Sequence, residues 1–369
     1  MNIIMKFKGQ IISRFRSLST ASNKIKGTCQ KTNLLNVNNR NTIIISQSHD
    51  IFENLALEDW LYSNYDLSSK DISILLMWYN GPSVVIGRHQ NPWVECSVNF
   101  CEDNNINIAR RNSGGGTVYH DFGNLNFSFM TPRKKYDRKR NLELICESVL
   151  IYVSGTASKL GRNNAYHHCT VLVNVDETKL HQALHRNLES VKSKATSSLR
   201  AKVINLNSVC SDIDIIKVIE AVKDYFKQLY EVTDENILCI HPNEDMCPGI
   251  NKIIEELKSW EWRFGRTPQF SITKSFPISF LVSDLETKNP VFNVEITLNI
   301  VKGRIESINL SPQILKNKSY EALNQNIVNS CLSPKIQDKH SKWIHDCDDN
   351  IICQFVQHCI WEMILDIFK

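Results

Sequence analysis

No acidic residue occurs before Asp50 in this 369-residue chain, whereas Lys6, Lys8, Arg14, Arg16, Lys24, Lys26, Lys31 and Arg40 all fall in that stretch. With that segment set aside, 35 basic and 39 acidic residues remain, so a formal charge of +4 hides a body at −4. An acidic body excludes a generally basic nucleic-acid binder. Lys6, Lys8 and Arg14 also break the leading apolar stretch, which excludes a secretory signal. No run approaches the roughly 18 apolar residues of a membrane span, so no membrane segment is expected. None of the 12 cysteines forms a CxxC pair, and the expectation is scattered reduced thiols with no structural metal. Nor is there a Pro- or Ser-rich tract: at 42% hydrophobic and 22% charged residues the chain has the composition of a folded protein.

What is there begins with the leading segment, MNIIMKFKGQIISRFRSLSTASNK, which bears Arg and Ser and spaces its apolar residues on one helical face. That is the pattern of an organellar transit peptide, so residues 1–45 are expected to direct import into the mitochondrial matrix. The length of the chain predicts two or three domains.

The run SHDIFENLALEDWLYSNY pairs a Ser/Asp start signal with helical spacing at 51, 52, 55, 56 and 60 and predicts the first helix. ISILLMWY and SVVIG, separated by Asn80, Gly81 and Pro82, predict a β-hairpin. INIAR and LNFSFM read as strands, the latter with Leu125, Phe127 and Phe129 on one face. HHCTVLVNVD reads as a further strand and SDIDIIKVIEAVKDYFKQLYEV as a helix. The polar stretch IHPNEDMCPGI, 240–250, marks a domain boundary, giving a larger domain over 46–240 and a smaller one over 246–369.

Between INIAR and LNFSFM lies RRNSGGGTVYHDFGN, in which two arginines precede three consecutive glycines. Glycines add no packing and lose more freedom on ordering than any other residue, so their use is close approach of bare backbone to a ligand. N–H groups beside a guanidinium suit an anion such as a phosphate. No Gly-Lys-Ser/Thr follows and no GxGxxG opens a helix, which excludes a Walker loop and a dinucleotide fingerprint. Taken alone, the stretch fits a ligand cradle and a loose hairpin equally well.

Five stretches in order, ENLALEDWL, VVIGRHQNPWVEC, RRNSGGGTVYHDFGNLNFSF, SGTASKLGRNNAYHHCTVLVN and WEWRFGRTPQF, resemble the lipoate–protein ligase A and mitochondrial lipoyltransferase family over residues 45 to 369. The resemblance implies an α/β (α+β) fold: a biotin/lipoate-ligase type catalytic domain with a mixed sheet and a small C-terminal α+β accessory domain. It implies lipoyl or octanoyl transfer from lipoyl-AMP, or from a lipoyl carrier protein, to a lysine of a lipoyl domain. The acceptors would be the E2 subunits of 2-oxoacid dehydrogenase complexes and the glycine-cleavage carrier protein, served by a monomer that binds no nucleic acid. An ATP-dependent ligase using lipoate, ATP and Mg is the alternative. Carried over position by position, lipoyl-AMP would be bound by Arg111, Gly114, Gly115, Gly116, Tyr119, Thr170, Thr196 and Ser198, with Trp78 and Ala157 beside the acyl tunnel.

Several other residues read as structural. The sequential pair His120-Asp121 rarely points both side chains at one atom; His167 and His168 lead into an apolar strand as hydrogen-bonded core histidines; Trp260 and Trp262 read as core or interface. The basic run RKKYDRKR, 133–140, is a solvated surface or a place to attract an acidic carrier domain.

The resemblance breaks at one place. The family sets a lysine two residues before the SG of SGTAS, and here that position is Tyr152. The chain from Asn141 to Ser154 is about twenty residues shorter than the family pattern, beyond ordinary loop variation. A positioned charge of this kind is worth about 10²–10³ in rate, so slow turnover is expected. A splice form or truncated reading of the gene, an acyl-adenylate-binding or lipoyl-domain-binding protein without turnover, and substitution by another cation such as Lys159 remain as explanations.

Overall fold

Asp50 starts the first helix as the sequence predicts. Its carboxylate accepts from the N–H groups of Phe52 (2.6 Å) and Glu53 (3.3 Å), two of the donors a helix start leaves unsatisfied, and the helix runs Ile51–Asn64. The computed structural model describes residues 28–29, 34, 40–67, 71–149, 156–184, 190–199, 203–278, 292–333 and 350–368. Tyr152 and most of the expected import segment lie outside them.

In chain order the strands are β1 (Thr28–Cys29), β2 (Thr42–Ser46), β3 (Ile74–Tyr79), β4 (Ser83–Ile86), β5 (Asn107–Arg110), β6 (Val118–His120) and β7 (Asn124–Pro132). They continue with β8 (Thr156–Leu160), β9 (Asn164–Leu172), β10 (Val191–Ser193), β11 (Ile237–Ile240), β12 (Phe270–Ile278), β13 (Phe292–Val301) and β14 (Arg304–Ser311). The chain forms two compact units. The first takes residues up to Arg88, Asn104–Leu184 and Ser198–Ser259; the second takes His89–Asp103, His185–Ser197 and the chain from Trp260. The first runs past the turn-rich 240–250 stretch because helix Ile250–Lys258 packs on helix Ile51–Asn64, where Trp60 Nε1 donates to Pro248 O at 2.9 Å.

The first unit holds a mixed seven-stranded sheet in the order β1-β11-β2-β3-β7-β9-β8, parallel from β1 to β3 and antiparallel beyond. Strand alternation sorts its faces. Leu75, Met77, Leu125, Phe127, Phe129, Cys169 and Val171 join the main core with residues of helices Arg138–Val149 and Ile215–Tyr230. By register, Trp78, Asn126, Ser128, Ala157, His168 and Thr170 take the opposite face.

A second, three-stranded sheet, β5-β4-β6, holds the glycine stretch between β5 and β6. The hairpin expected from ILLMWY and SVVI does not form. Both edges of β3 are already occupied, by β2 and by the nine-residue β7, so Asn80 to Pro82 lead the chain out of one sheet and into the other.

The second unit is an antiparallel sheet, β10-β12-β13-β14, with helices Asn317–Ile327 and Asn350–Phe368. The Trp93 ring packs tilted against Phe264 and Phe270, with ring centres 5.4 and 5.7 Å away, which ties the excursion His89–Asp103 into this unit. Among the described residues one helical stretch, Ile351–Phe368, is by length and composition apolar enough to cross a membrane (mean hydropathy 1.4), which corrects the expectation that no run approaches that limit. It is 56% buried within the protein, and its Glu362 and Asp366 meet Lys274 Nζ of β12 at 2.5 and 2.8 Å. Those pairs belong to a core helix.

Candidate functional site

Gly115 has φ +88°, a conformation that favours glycine, and a Cβ there would lie 3.0 Å from Arg111 Nη2 and 3.2 Å from Ala157 Cβ. A Cβ on Gly116 would lie 3.2 Å from Ser198 Oγ, whereas one on Gly114 would meet nothing within 4 Å. The loop therefore packs on Ala157 and Ser198 through two glycines and opens to space at the third. Ser198 Oγ also accepts from Thr117 N at 2.8 Å, closing the loop's C-terminal side.

Arg111 is buried and points inward. Nη2 donates to Gly114 O (2.7 Å) and Gly116 O (2.6 Å), Nη1 to Val85 O (2.9 Å), and Nε to Ser113 Oγ (3.0 Å). Burial lowers its pKa to about 10. The anchored Gly114 carbonyl shares its peptide plane with the Gly115 N–H, and among the described residues the N–H groups of Gly114, Gly115 and Gly116 make no hydrogen bond. The guanidinium shapes the cradle from behind.

A second group of side chains, unforeseen in the sequence, reaches the loop from the sheet. Ser113 Oγ lies 3.0 Å from His168 Nε2, and His168 Nδ1 lies 3.1 Å from Glu58 Oε1, which also accepts from Ser128 Oγ at 2.7 Å. His168 thus links the Ser113 hydroxyl of the loop to the buried Glu58 carboxylate. Burial raises the Glu58 pKa, but the charge of His168 and hydrogen bonds from His168 and Ser128 outweigh it and leave the carboxyl below its ordinary range. The signal available in the sequence was the period of two, which sets His168 and Thr170 on one face of β9.

Further along that face, Thr170 Oγ1 donates to Asn124 Oδ1 (2.5 Å), Asn124 Nδ2 to Asn126 Oδ1 (3.2 Å) and Asn126 Nδ2 to Trp78 O (3.4 Å). Trp78 is buried, and its Nε1 has no partner among the described residues. Of the residues singled out, Arg111, the three glycines, Ala157 and Ser198 thus meet at the loop, while Thr170 and Trp78 sit on the sheet face beside it. Tyr119 is buried in the small sheet, opposite Val84. Thr196 lies in the second unit, its N–H on His89 O (3.2 Å) and its carbonyl accepting from Gln90 Nε2 (3.3 Å).

The structural readings fare unevenly. His120 and Asp121 part: His120 Nδ1 meets Asn80 Nδ2 (3.0 Å), and Asp121 accepts from Gly123 N (2.8 Å) and Asp176 N (2.9 Å). Burial lowers the His120 pKa to about 3, with the Arg111 charge adding to it. His167 corrects the expectation of a hydrogen-bonded core histidine, because it is buried beside Phe129 and neither ring nitrogen has a partner among the described residues. Lys159 is engaged elsewhere, 3.4 Å from Asp59 Oδ1 and 4.5 Å from the centre of the Tyr62 ring. Among the described residues no group of three His, Cys, Asp or Glu could hold a metal ion.

A family model described as the lipoyl protein ligase A/B catalytic domain matches residues 50–153 and 151–227, two segments that meet where the sequence is short of the family pattern. The chain is 41% identical over 290 residues to the mitochondrial lipoyl amidotransferase LIPT1 of Homo sapiens, covering 73% of this chain and 75% of that protein. Against the lipoate-protein ligase A of Psychrobacter cryohalolentis it is 32% identical over 295 residues, 73% of this chain and 85% of the other. The fold resembles the crystal structure of P. falciparum LipL1 in complex with lipoate (TM-score 0.53, 24% identity, 87% of this chain and 99% of that one). The chain belongs to the lipoyl protein ligase A/B family.

Proposed function

We propose that this protein is a mitochondrial lipoyltransferase that moves a lipoyl group from lipoyl-AMP, or from a lipoylated carrier, onto a lysine of a lipoyl domain. The relatives named as lipoyl amidotransferases and lipoate-protein ligases support the reaction class, and the mitochondrial designation of the human protein supports the compartment, with the matrix as its site of action. The acceptors are the lipoyl domains of E2 subunits and the glycine-cleavage carrier protein, and the working form is a monomer.

The observation that carries the reading is the glycine loop: the Gly114 and Gly116 carbonyls held by Arg111, N–H groups of Gly114 to Gly116 that make no hydrogen bond among the described residues, and open space over Gly114. Such a cradle suits the acyl-phosphate of an acyl-adenylate, whose charge the amide dipoles meet without a side chain in the way. Ser198 closes one end of the loop, Thr170 and Trp78 line the approach of the acyl chain, and Tyr119 supports the cradle from the small sheet. Attack by the acceptor ε-amine on the activated carbonyl then forms the amide and releases AMP, with preorganised N–H groups stabilising the developing charge.

A second reading rests on the short connection. The helix ends at Val149 and β8 begins at Thr156, which leaves six residues, including Tyr152, where the resemblance places a lysine-bearing segment. A protein so shortened binds acyl-adenylate and turns it over slowly. Gel-shift lipoylation of an apo lipoyl domain supplied with lipoyl-AMP separates the two: product supports the transferase, and bound adenylate without product supports the binder. Pyrophosphate release from free lipoate and ATP identifies a complete ligase instead.

A further inference from the structure

Six of the eight residues from Arg133 to Arg140 are basic, on a body that is acidic overall. The fold joins this run to a second segment. Arg133 N donates to Asn163 O at 2.7 Å, so the turn Arg133–Lys135 is fixed against the tip of the β8-β9 hairpin, which carries Arg162. Arg133, Lys134, Tyr136, Arg162 and Asn163 line an open cleft of about 580 Å³. Asp71 neutralises part of the rim, at 3.6 Å from Lys134 and 2.9 Å from Lys135, while Arg133, Arg138, Arg140 and Arg162 are exposed to solvent.

Burial does not require this concentration of positive charge. Like charges gathered from two chain segments repel one another, and a solvated surface is better served by mixed signs. The cleft is also tied to the candidate site: Arg138 Nη2 donates to Thr156 Oγ1 at 2.5 Å, and Thr156 precedes Ala157, against which Gly115 packs.

Resting on the lipoyl-transfer reading, we infer that this basic cleft is the docking surface for the acidic face of the acceptor protein domain. A domain held there by its carboxylates rests against the hairpin whose far end reaches the glycine loop, within reach of an acceptor lysine. The attraction acts through solvent, so it speeds encounter and is screened over a Debye length of about 8 Å at physiological ionic strength.

The test is binding of the full chain to an apo lipoyl domain by stopped flow at about 20 and 200 mM salt. It compares the wild type with the double variant Arg133→Glu/Arg162→Glu and with Lys252→Glu on an unrelated helix. The double variant is expected to associate about tenfold more slowly at low salt, with little change in the dissociation rate and a flattened salt dependence. Lys252→Glu is expected to behave as wild type. Equal association rates and salt slopes in the wild type and the double variant overturn the proposal. So does a wild type that leaves the lipoyl domain unbound, or one whose cleft instead captures single-stranded RNA with loss in the double variant. Binding of lipoyl-AMP is measured in parallel on all three proteins: its absence from the wild type sinks the transferase reading, whereas its presence beside an unaltered docking rate sinks the docking surface alone.

Discussion

His168 Nδ1 and Glu58 Oε1 face each other at 3.1 Å across 110 positions of sequence, and Ser128 Oγ donates to the same oxygen at 2.7 Å. Glu58 has 1% of its side chain exposed, so the pair is held by geometry and hydrogen bonds in a medium where a lone charge is costly.

Glu58→Gln is therefore expected to destabilise the protein by about 3 kcal/mol at neutral pH. The sign of its pH dependence follows from a carboxyl whose folded pKa is depressed. Its contribution is complete above the ordinary value of 4.5 and fades as pH falls through the lower folded value. Thermal melts between pH 3 and 7 check this: the gap between wild type and variant should narrow below about pH 4.5. A gap that widens there refutes the assignment.

His120 predicts the opposite kind of group. Its folded pKa of about 3 lies below the ordinary 6.5, so the unfolded chain binds a proton that the folded one excludes. Stability is lost as pH falls from about 6.5 toward 3, at up to about 1.4 kcal/mol per pH unit from this residue. His120→Gln should flatten that limb. Parallel acid limbs in the two proteins would remove His120 from the account.

Gly114 and Gly115 should answer differently to the same added methyl. Gly115→Ala forces a left-handed backbone and meets Arg111 and Ala157, for an expected loss of about 1–3 kcal/mol. Gly114→Ala enters open space, so its melting temperature should stay close to wild type while affinity for lipoyl-AMP falls at least about tenfold, a loss of about 1.4 kcal/mol. Calorimetric titration decides it. Full affinity in Gly114→Ala would falsify the cradle.

Arg111→Lys separates two roles. An ammonium retains the charge but cannot serve Gly114 O, Gly116 O and Val85 O from one planar fork. Losing the carbonyl anchors is expected to lower stability by about 2–4 kcal/mol and to abolish tight adenylate binding. If the lysine variant melted and bound as wild type does, Arg111 would be acting on the ligand as a simple charge.

Much of the local structure was legible in the sequence. Asp50 declared a helix start, the alternation at 125, 127 and 129 declared a core face, and three glycines between strands declared a loop of bare backbone. What stayed hidden depends on contacts between distant segments. The direction of the Arg111 side chain is set by carbonyls in its own loop and in β4, and the partner of His168 stands on a helix 110 residues earlier. The expected hairpin at Asn80 failed because competition among strands for the edges of β3 is invisible to local turn signals. Thr196 illustrates the same limit: two positions from Ser198, it nonetheless belongs to the other unit.

Trp93 and β10 stand far upstream of the strands they complete, Trp93 against Phe264 and Phe270 and β10 along β12. Gly303 would clash with Trp93 and Trp260 if it bore a methyl, which shows how closely the borrowed tryptophan is fitted. A fragment starting at Trp260 would therefore be born with an uncovered sheet margin and a hollow where an indole belongs. A single cut between His89 and Trp260 cannot free both bodies whole, because the segments of each interrupt the other.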